Sequence, residues 1–233
     1  MFYGLGVVHE SLINTKEDII SHNIVMAFAY VLALAAHKKD RLSMLDWGGG
    51  IGHYYLLAQA LIPDVEIEYH CKDVPVLCKH GEQLFPNQHF YADNRCFDRS
   101  YDFILASSSI HYSEEWQNIL QRLAGATRDY LYIANIPIVQ YASSFVFVQR
   151  PYPCGYNTEY LAWCLNRAEL LKNAECSGLD LLREFVYGNL WSQYRRLKNY
   201  AQSQSLNIYN ATKGGLLDVF DRVDYDSLFP KPE

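Results

Sequence analysis

The first half of the chain alternates short apolar segments with longer segments whose apolar residues recur every three or four positions. Short runs rich in β-branched and aromatic residues predict buried strands, whereas the longer spacing predicts helices. The predicted strands are Arg41–Leu45, Val65–Cys71, His89–Ala92, Tyr101–Ala106 and Tyr130–Ile136. The predicted helices are Ile24–Ala36, His53–Ile62, Asp73–Leu84 and Glu114–Leu123. This alternation predicts an α/β fold with a doubly wound, mostly parallel sheet, preceded by a helical extension over residues 1–40.

The pattern changes after Pro137. The segment Tyr141–Tyr156 is predicted to be an ordered loop or lid, because the prolines of its R-P-Y-P run lack backbone donors and restrict their neighbours. The later predictions are a helix over Asn157–Leu171, a strand over Leu181–Tyr187, a mixed polar and aromatic segment over Trp191–Ser203, and a hairpin turn at Gly214-Gly215 within Ile208–Phe220. We expect one domain over residues 1–233, with residues 137–180 inserted as a lid.

A glycine-rich turn joins the first predicted strand to the next helix. Its sequence is L-D-W-G-G-G-I-G, which places Asp46 ahead of Gly48, Gly50 and Gly52. Glycine tolerates positive φ and lets a ligand approach the backbone, and the first helical turn offers free N–H groups. The third glycine comes one residue too early for the dinucleotide fingerprint G-x-G-x-x-G, which disfavours a pyrophosphate. A nucleoside cofactor without phosphate fits this turn, and a merely structural turn is the alternative.

Composition and charge narrow the class of protein. The 233 residues are 50% hydrophobic and 20% charged, as expected for a globular α/β domain. The formal net charge of -6 argues against nucleic-acid binding, because such binding needs basic surface. The six cysteines lack C-x-x-C spacing and the N-terminus lacks signal-peptide character, so we expect reduced thiols and a cytoplasmic protein. The longest apolar run, Ile24–Ala36, is too short to cross a bilayer.

No metal site is expected from the sequence. By residue type, His70, Cys71, Cys78 and His80 are candidate zinc ligands. However, His70 and Cys71 are neighbours on a predicted strand, so their side chains should point to opposite faces of the sheet.

An acidic residue stands at the end of each of the first three predicted strands. Because the carboxyl ends of parallel strands meet at one edge of the sheet, Asp46, Asp73 and Asp93 should lie near one ligand. Asp73 could accept hydrogen bonds from both hydroxyls of a ribose, and its alternative role is to cap the helix before Val74-Pro75. Asp93, followed by Asn94, could receive an adenine amino group, and an Asp-Asn turn is the alternative.

Small polar residues follow the fourth predicted strand in the run Ser107-Ser108-Ser109-Ile110-His111-Tyr112. Small side chains at this point would let two ligands meet beyond the strand. His111 could act as a general base, because the pKa of an imidazole lies near physiological pH. The alternative is that His111 packs under the ligand or caps the helix that begins near Glu114.

Four segments together resemble the class I methyltransferases that use S-adenosylmethionine (SAM), and among them a bacterial family associated with surface-polysaccharide biosynthesis. They are L-D-W-G-G-G-I-G, Asp73-Val74-Pro75, Y-D-F-I-L-A-S-S-S-I-H-Y and Y-L-Y-I-A-N-I-P. The later part of the chain is also similar, through Gln149-Arg150, Tyr152-Pro153 and N-A-T-K-G-G-L-L-D-V-F-D-R-V-D-Y. The chain departs from the family at Asn135, where Asp is typical, and at Asp73, where Glu is frequent.

The resemblance implies a Rossmann-like class I methyltransferase fold, with SAM as cofactor and S-adenosylhomocysteine (SAH) as product. The methyl group would pass to a hydroxyl or amine of a sugar, a lipid-linked glycan or a nucleotide sugar. The aromatic rings of Trp47, Tyr54 and Tyr112 suit the positive sulfonium of SAM. The expected cofactor-binding residues are Asp46, Trp47, Gly48, Gly50, Gly52, Tyr54, Asp73, Asp93, Asn94 and Ser107.

On the acceptor side, His111 is the expected base, Arg150 the expected partner of an anionic sugar or phosphate, and Tyr156 an expected stacking ring. The expected partners are a small-molecule or glycan acceptor, without nucleic acid or membrane insertion, and a homodimer is left open. Two other classes of protein are also left open. One is a methyltransferase-like protein that binds SAM or SAH without catalysis, and the other is a nucleotide-sugar or NAD-using Rossmann enzyme.

Overall fold

The computed structural model describes residues 19–150, 152, 157–184, 197–210, 220–224 and 227. The chain divides into two compact units. The described part of the first unit covers residues 28–150, 152 and 157–182, and it contains the candidate site. The second unit includes residues 197–210 and 220–224.

A five-stranded parallel sheet forms the centre of the first unit. Its strands lie in the order β3-β2-β1-β4-β5. The first strand, β1, is therefore central, with β2 and β3 on one side of it and β4 and β5 on the other. The strand bounds are Arg41–Trp47 for β1, Glu66–Lys72 for β2, His89–Tyr91 for β3, Tyr101–Ser107 for β4 and Thr127–Ala134 for β5. Each of the five strands predicted from the sequence is present, and the doubly wound parallel architecture is confirmed.

Helices alternate with these strands as the apolar spacing predicts. Their bounds are Ile19–Ala36 for α1, His53–Leu61 for α2, Pro75–Leu84 for α3 and Trp116–Ala126 for α4. Helix α3 begins two residues later than predicted because Pro75 occupies its first turn, where a missing N–H costs nothing. Short 3₁₀ turns span Asn94–Asp98 and Ile110–Tyr112.

Both faces of the sheet are covered by apolar side chains. On one face, Leu45 and Ile104 pack in the same cluster as Trp116 and Leu120 of α4. On the other face, the ring of Phe28 from α1 packs against Phe103 of β4, with the ring centroids 6.1 Å apart. Burial on both faces explains why these strands read as nearly continuous apolar runs. Among the described residues, no helix combines the length and apolar character needed to cross a membrane.

A second, smaller sheet follows the first and corrects two of the sequence predictions. Strand β6 (Ile138–Val139) pairs in parallel with β8 (Tyr160–Asn166), which pairs antiparallel with β7 (Phe145–Gln149). The loop predicted over residues 141–156 therefore contains a strand. The helix predicted over 157–171 is wrong in its first part, because β8 occupies residues 160–166 and helix α5 runs only from Arg167 to Cys176.

The C-terminal predictions are only partly covered by the described residues. Residues 181–184 have no regular secondary structure, so the strand predicted to begin at Leu181 is wrong there. Residues 197–203 are helical, and β9 (Tyr209–Asn210) pairs in parallel with β10 (Asp221–Arg222). The turn predicted at Gly214-Gly215 lies outside the described residues.

Candidate functional site

A cleft of about 370 Å³ opens where β1, β2 and β4 end. Ligands of doubly wound sheets bind at this carboxyl edge, beside the point where the strand order reverses. The three strands end at Trp47, Lys72 and Ser107. The residues that line the cleft are Trp47, Gly48, Lys72, Asp73, Val74, Ser108, Ser109, Tyr112 and Ser113. The sequence-predicted Trp47, Gly48, Asp73 and Tyr112 are thus brought together.

The glycine turn after β1 needs its glycines for two different reasons. Gly48, Gly50 and Gly52 all have positive φ, at 79°, 62° and 95°. At Gly48 a Cβ atom would lie only 2.3 Å from Cβ of Ser109, so the turn after β1 touches the turn after β4. At Gly50 a Cβ atom would meet no atom within 4 Å. The open space at Gly50 leaves the backbone of the turn accessible to a ligand.

Asp46 lies beneath this turn and does not line the cleft. A Cβ on Gly49 would lie 2.5 Å from Oδ2 of Asp46, and the hydroxyl of Tyr69 donates to the same oxygen at 2.7 Å. Oδ1 of Asp46 is buried and has no hydrogen-bond partner among the described residues. Burial raises the pKa of Asp46 to about 7, although the hydrogen bond from Tyr69 acts in the opposite direction.

Asp73 ties the turn after β2 to the turn after β1. Its Oδ2 accepts a hydrogen bond from the backbone N–H of Gly50 at 2.7 Å, and its Oδ1 accepts one from Val74 at 2.6 Å. The alternative role as a helix cap is wrong, because Val74 is the N-cap of α3 and no side chain caps that helix. Each carboxylate oxygen can accept a second hydrogen bond, so Asp73 keeps the capacity to bind hydroxyls.

Asp93 stabilises a turn, which is the alternative role predicted for it from the sequence. Its carboxylate accepts from the backbone N–H of Arg95 at 3.0 Å and pairs with Nε of Arg95 at 2.8 Å. It thereby caps the 3₁₀ turn whose first residue is Asn94. Both Asp93 and Asn94 are exposed, and neither belongs to the residues that line the cleft. The expected contact of Asp93 with an adenine amino group stays a prediction.

Neither Gly52 nor Tyr54 lines the cleft. Gly52 is buried at the start of α2, where a Cβ would meet the rings of Phe85 and Phe90 at 3.3 Å. The hydroxyl of Tyr54 lies 3.2 Å from Oγ of Ser107. Tyr54 is 6% exposed, so its ring is largely withdrawn from any ligand.

Ser107 belongs to a polar network at the end of β4. Its Oγ accepts a hydrogen bond from Nδ2 of Asn135 at 2.9 Å, in addition to its contact with Tyr54. Asn135 follows β5 with a φ of 54°, and Ser108 follows β4 with a φ of 50°. No local feature of the sequence indicates this contact, because it joins residues 28 positions apart.

His111 is buried in the 3₁₀ turn between two residues that line the cleft, Ser109 and Tyr112. Its Nδ1 has no hydrogen-bond partner among the described residues, and its ring lies 3.9 Å from that of Tyr112. Burial lowers the pKa of His111, so the imidazole is neutral near pH 7. A neutral imidazole is the form that can accept a proton.

The second sheet approaches the cleft through Tyr112. The hydroxyl of Tyr112 donates to Oε1 of Gln149 at 3.1 Å, and its ring meets that of Tyr160 edge-on. The next residue, Arg150, is exposed and its Nε donates to Glu159 at 2.7 Å. Arg150 does not line the cleft and is paired with Glu159, so its expected role toward an anionic ligand stays a prediction. Tyr156 lies outside the described residues.

The two faces of β2 carry different groups, as predicted for His70 and Cys71. His70 contacts Glu68 and Tyr91, whereas the thiol of Cys71 donates to the carbonyl of Gly50. Burial lowers the pKa of His70 to about 4, so its contact with Glu68 is a hydrogen bond from a neutral ring.

Glu68, His70 and His89 bring three metal-ligating groups within 4.8 Å of one another. Two features disfavour a cation there. The carboxylate of Glu68 is already paired with Arg41 and Arg99. The two imidazole rings are stacked at an interplanar angle of 14°, so their in-plane lone pairs do not converge on one point.

Three residues of the cleft were absent from the sequence prediction: Lys72, Val74 and Ser113. Lys72 and Val74 flank Asp73 at the end of β2, so the position of the strand end could have indicated them. Ser113 follows the 3₁₀ turn of His111, and no sequence signal places it in the cleft.

No protein-family model and no curated protein matches this chain. Solved structures do. A protein of Galdieria sulphuraria assigned as a sarcosine dimethylglycine methyltransferase superposes with a TM-score of 0.50 at 18% identity, covering 79% of this chain and 72% of its own. A SAM-dependent methyltransferase of Clostridium acetobutylicum ATCC 824 gives 0.49 at 11% identity, with coverages of 67% and 80%. The N-terminal domain of EvdMO1, with SAH and D-fucose, gives 0.49 at 16% identity, with coverages of 70% and 77%.

At these identities the likeness is one of fold. The parallel sheet, its strand order and its flanking helices are those of the Rossmann-like class I methyltransferase fold. The fold expected from the sequence is therefore confirmed, and the activity has to be argued from the site.

Proposed function

We propose that this chain is a SAM-dependent methyltransferase that acts on a hydroxyl or amine of a sugar, a glycan or a related small molecule. The observation that carries the proposal is the hydrogen bond from the N–H of Gly50 to Asp73, at the edge of the cleft. It joins an open glycine turn to a carboxylate that can still accept hydroxyl donors. An adenosine with an ammonium-bearing tail needs both features.

The described residues have distinct roles in holding the cofactor. Asp73 would accept hydrogen bonds from the ribose hydroxyls, and the backbone at Gly48 and Gly50 would bind the amino-acid end. Asp46 lies one layer below the turn, and its ionised form would favour the ammonium electrostatically, without direct contact. Trp47 and Tyr112 line the cleft and offer aromatic rings to a sulfonium.

When bound, SAM supplies a methyl group that carries its own leaving group. The protein therefore has to align the acceptor atom with the methyl carbon and exclude water. His111 could take the proton of an acceptor hydroxyl, because burial keeps its imidazole neutral.

The acceptor is proposed to approach from the side of β7 and β8. Gln149 at the end of β7 is hydrogen-bonded to Tyr112, so this strand ends next to a residue of the cleft. This position supports residues 137–180 as the acceptor-side part of a single methyltransferase domain. The resemblance to methyltransferases of surface-polysaccharide biosynthesis favours a sugar, a lipid-linked glycan or a nucleotide sugar.

The direct test is a calorimetric titration with SAH on the wild type and on Gly50→Val. Valine would be strained at a φ of 62° and would fill the open space at the turn, so we expect micromolar binding to be lost. Gly178→Val is a matched control, because Gly178 has a φ of 83° and equally open surroundings but lies outside the cleft. Tight NAD binding without SAM or SAH binding would refute the proposal.

A further inference from the structure

Among the described residues, the side of the cleft that follows β4 presents hydroxyl groups and no charged side chain. Ser108, Ser109, Tyr112 and Ser113 line it. The charged residues that line the cleft, Lys72 and Asp73, both come from the end of β2. An ammonium or carboxylate group of an acceptor placed against these serines would therefore lose hydration without gaining an opposite charge. A neutral group rich in hydroxyls can exchange hydrogen bonds with serine and tyrosine there.

The backbone on this side includes two residues in the left-handed conformation. Ser108 has a φ of 50° and Asn135 a φ of 54°, in the left-handed region that costs most non-glycine residues energy. The two residues directly follow the paired positions Ser107 and Ala134 at the ends of β4 and β5. The N–H of Ser108 donates to the carbonyl of Ala134 at 3.0 Å, so the two turns are joined.

Asn135 completes this arrangement through its side chain. Its Nδ2 donates to Oγ of Ser107 at 2.9 Å, which fixes the residue that precedes Ser108. Ser108 is exposed and lines the cleft, so the left-handed turn presents its hydroxyl to a ligand.

We propose that the β4 side of the cleft is the acceptor subsite for a neutral, hydroxyl-bearing ligand of the sugar or polyol class. Ser108 contacts the ligand, and Asn135 positions Ser108 by holding Ser107 and the joined turns. This inference rests on the proposed function for the identity of the site, and it narrows the acceptor from a hydroxyl or amine to a neutral hydroxyl compound.

Three small probes with similar size and different charge test the subsite: glycerol, ethanolamine and glycolate. Saturation-transfer NMR measures their contact with SAH-saturated protein and with ligand-free protein. Glycerol should bind best, and Ser108→Ala should weaken its binding about 2- to 10-fold, as expected for one hydrogen bond. Ser205→Ala is the matched control, since Ser205 is also an exposed serine with a left-handed φ of 58° and lies outside the cleft.

The variant Asn135→Gly distinguishes a role of Asn135 in positioning Ser108 from a role in folding stability alone. Glycine accepts the left-handed backbone but removes the amide, so the melting temperature should hold or rise while glycerol binding falls. A merely structural role predicts the reverse, with a lower melting temperature and unchanged glycerol binding. Lys38→Gly, at another left-handed position away from the cleft, should leave glycerol binding unchanged.

The inference is overturned if ethanolamine or glycolate binds better than glycerol, if glycerol does not bind, or if Ser108→Ala leaves glycerol binding unchanged. The proposed function fails in a different way, through the absence of SAH binding by the wild type. Because glycerol binding is also measured on ligand-free protein, a failure of the subsite proposal can be distinguished from a failure of SAH binding.

Discussion

At the scale of single residues, Asp46 links the burial of a charge to the pH dependence of folding. Its pKa is raised from 3.8 to about 7, first of all by burial. The folded protein therefore retains a proton that the unfolded chain releases above pH 4. Such a group favours folding at low pH, and this contribution is lost as pH rises toward 7.

We predict that Asp46→Asn removes the loss of folding stability that the ionisation of Asp46 causes as pH rises. Asparagine cannot ionise, and its carbonyl can still accept the hydrogen bond from Tyr69. The free energy of unfolding of the variant, relative to that of the wild type, should therefore increase as the pH rises from 5 to 8. Urea unfolding of the two ligand-free proteins at both pH values is the measurement. Stability profiles that stay parallel across this range would show that Asp46 is not protonated in the folded state.

His111 gives the second prediction at this scale. If it takes the proton of an acceptor hydroxyl, His111→Ala should lower kcat by roughly 10²–10⁴-fold and leave the SAH affinity nearly unchanged. Because burial lowers its pKa below 6.5, the wild-type kcat should hold near pH 7 and fall in more acidic solution. A variant with full kcat, or one that loses stability and SAH affinity together, would make His111 a packing residue.

Part of the site could be predicted from single residues and part could not. Asp73 and the glycine turn were predicted because a strand end and a glycine run are local features of the sequence. Asp46 was predicted as a cofactor contact, and its position beneath Gly49 depends on close packing that the sequence does not reveal. The contact between Ser107 and Asn135 depends on strand pairing over long range.

At the scale of elements, β8 and α5 explain the largest error of the sequence prediction. An apolar run of strand length next to a helix cannot be assigned by periodicity alone, so the two elements were read as one helix. The boundary did carry a local signal. Asn166 caps α5 by accepting a hydrogen bond from the N–H of Glu169, and its spacing to Glu169 is that of a capping box. Most of the central strands lack this ambiguity because glycines, prolines or polar turns separate them from their helices, whereas α4 runs directly into β5 at Ala126-Thr127.

The contact between α3 and β3 provides a prediction about packing. Gly81 of α3 is buried, and a Cβ there would lie 2.1 Å from the ring of Phe90 in β3. Gly81→Ala should therefore lower the free energy of unfolding by about 1–3 kcal/mol, despite the better helix propensity of alanine. Gly125→Ala in α4 is the control. No atom lies within 4 Å of a Cβ there, so we expect a gain of about 0.5–1 kcal/mol. Equal effects in urea unfolding would contradict this packing.

At the scale of the whole molecule, the fold determines where the cleft lies, and the net charge bears on the class of ligand. The class I methyltransferase fold places the carboxyl ends of β1, β2 and β4 around one cleft. The formal net charge of -6 suits a small-molecule ligand better than a nucleic acid. Both features are compatible with several ligands, so the central claim depends on which molecule occupies the cleft and how it lies.

The most direct test is a crystal structure of the protein with SAH at a saturating concentration. The account predicts the adenosylhomocysteine in the cleft between the ends of β1, β2 and β4. The ribose hydroxyls should lie within hydrogen-bond distance of Asp73, and the amino-acid end should lie along the backbone of Gly48 and Gly50. An empty cleft under these conditions, or SAH bound elsewhere on the protein, would contradict the claim that this is a SAM-dependent methyltransferase site.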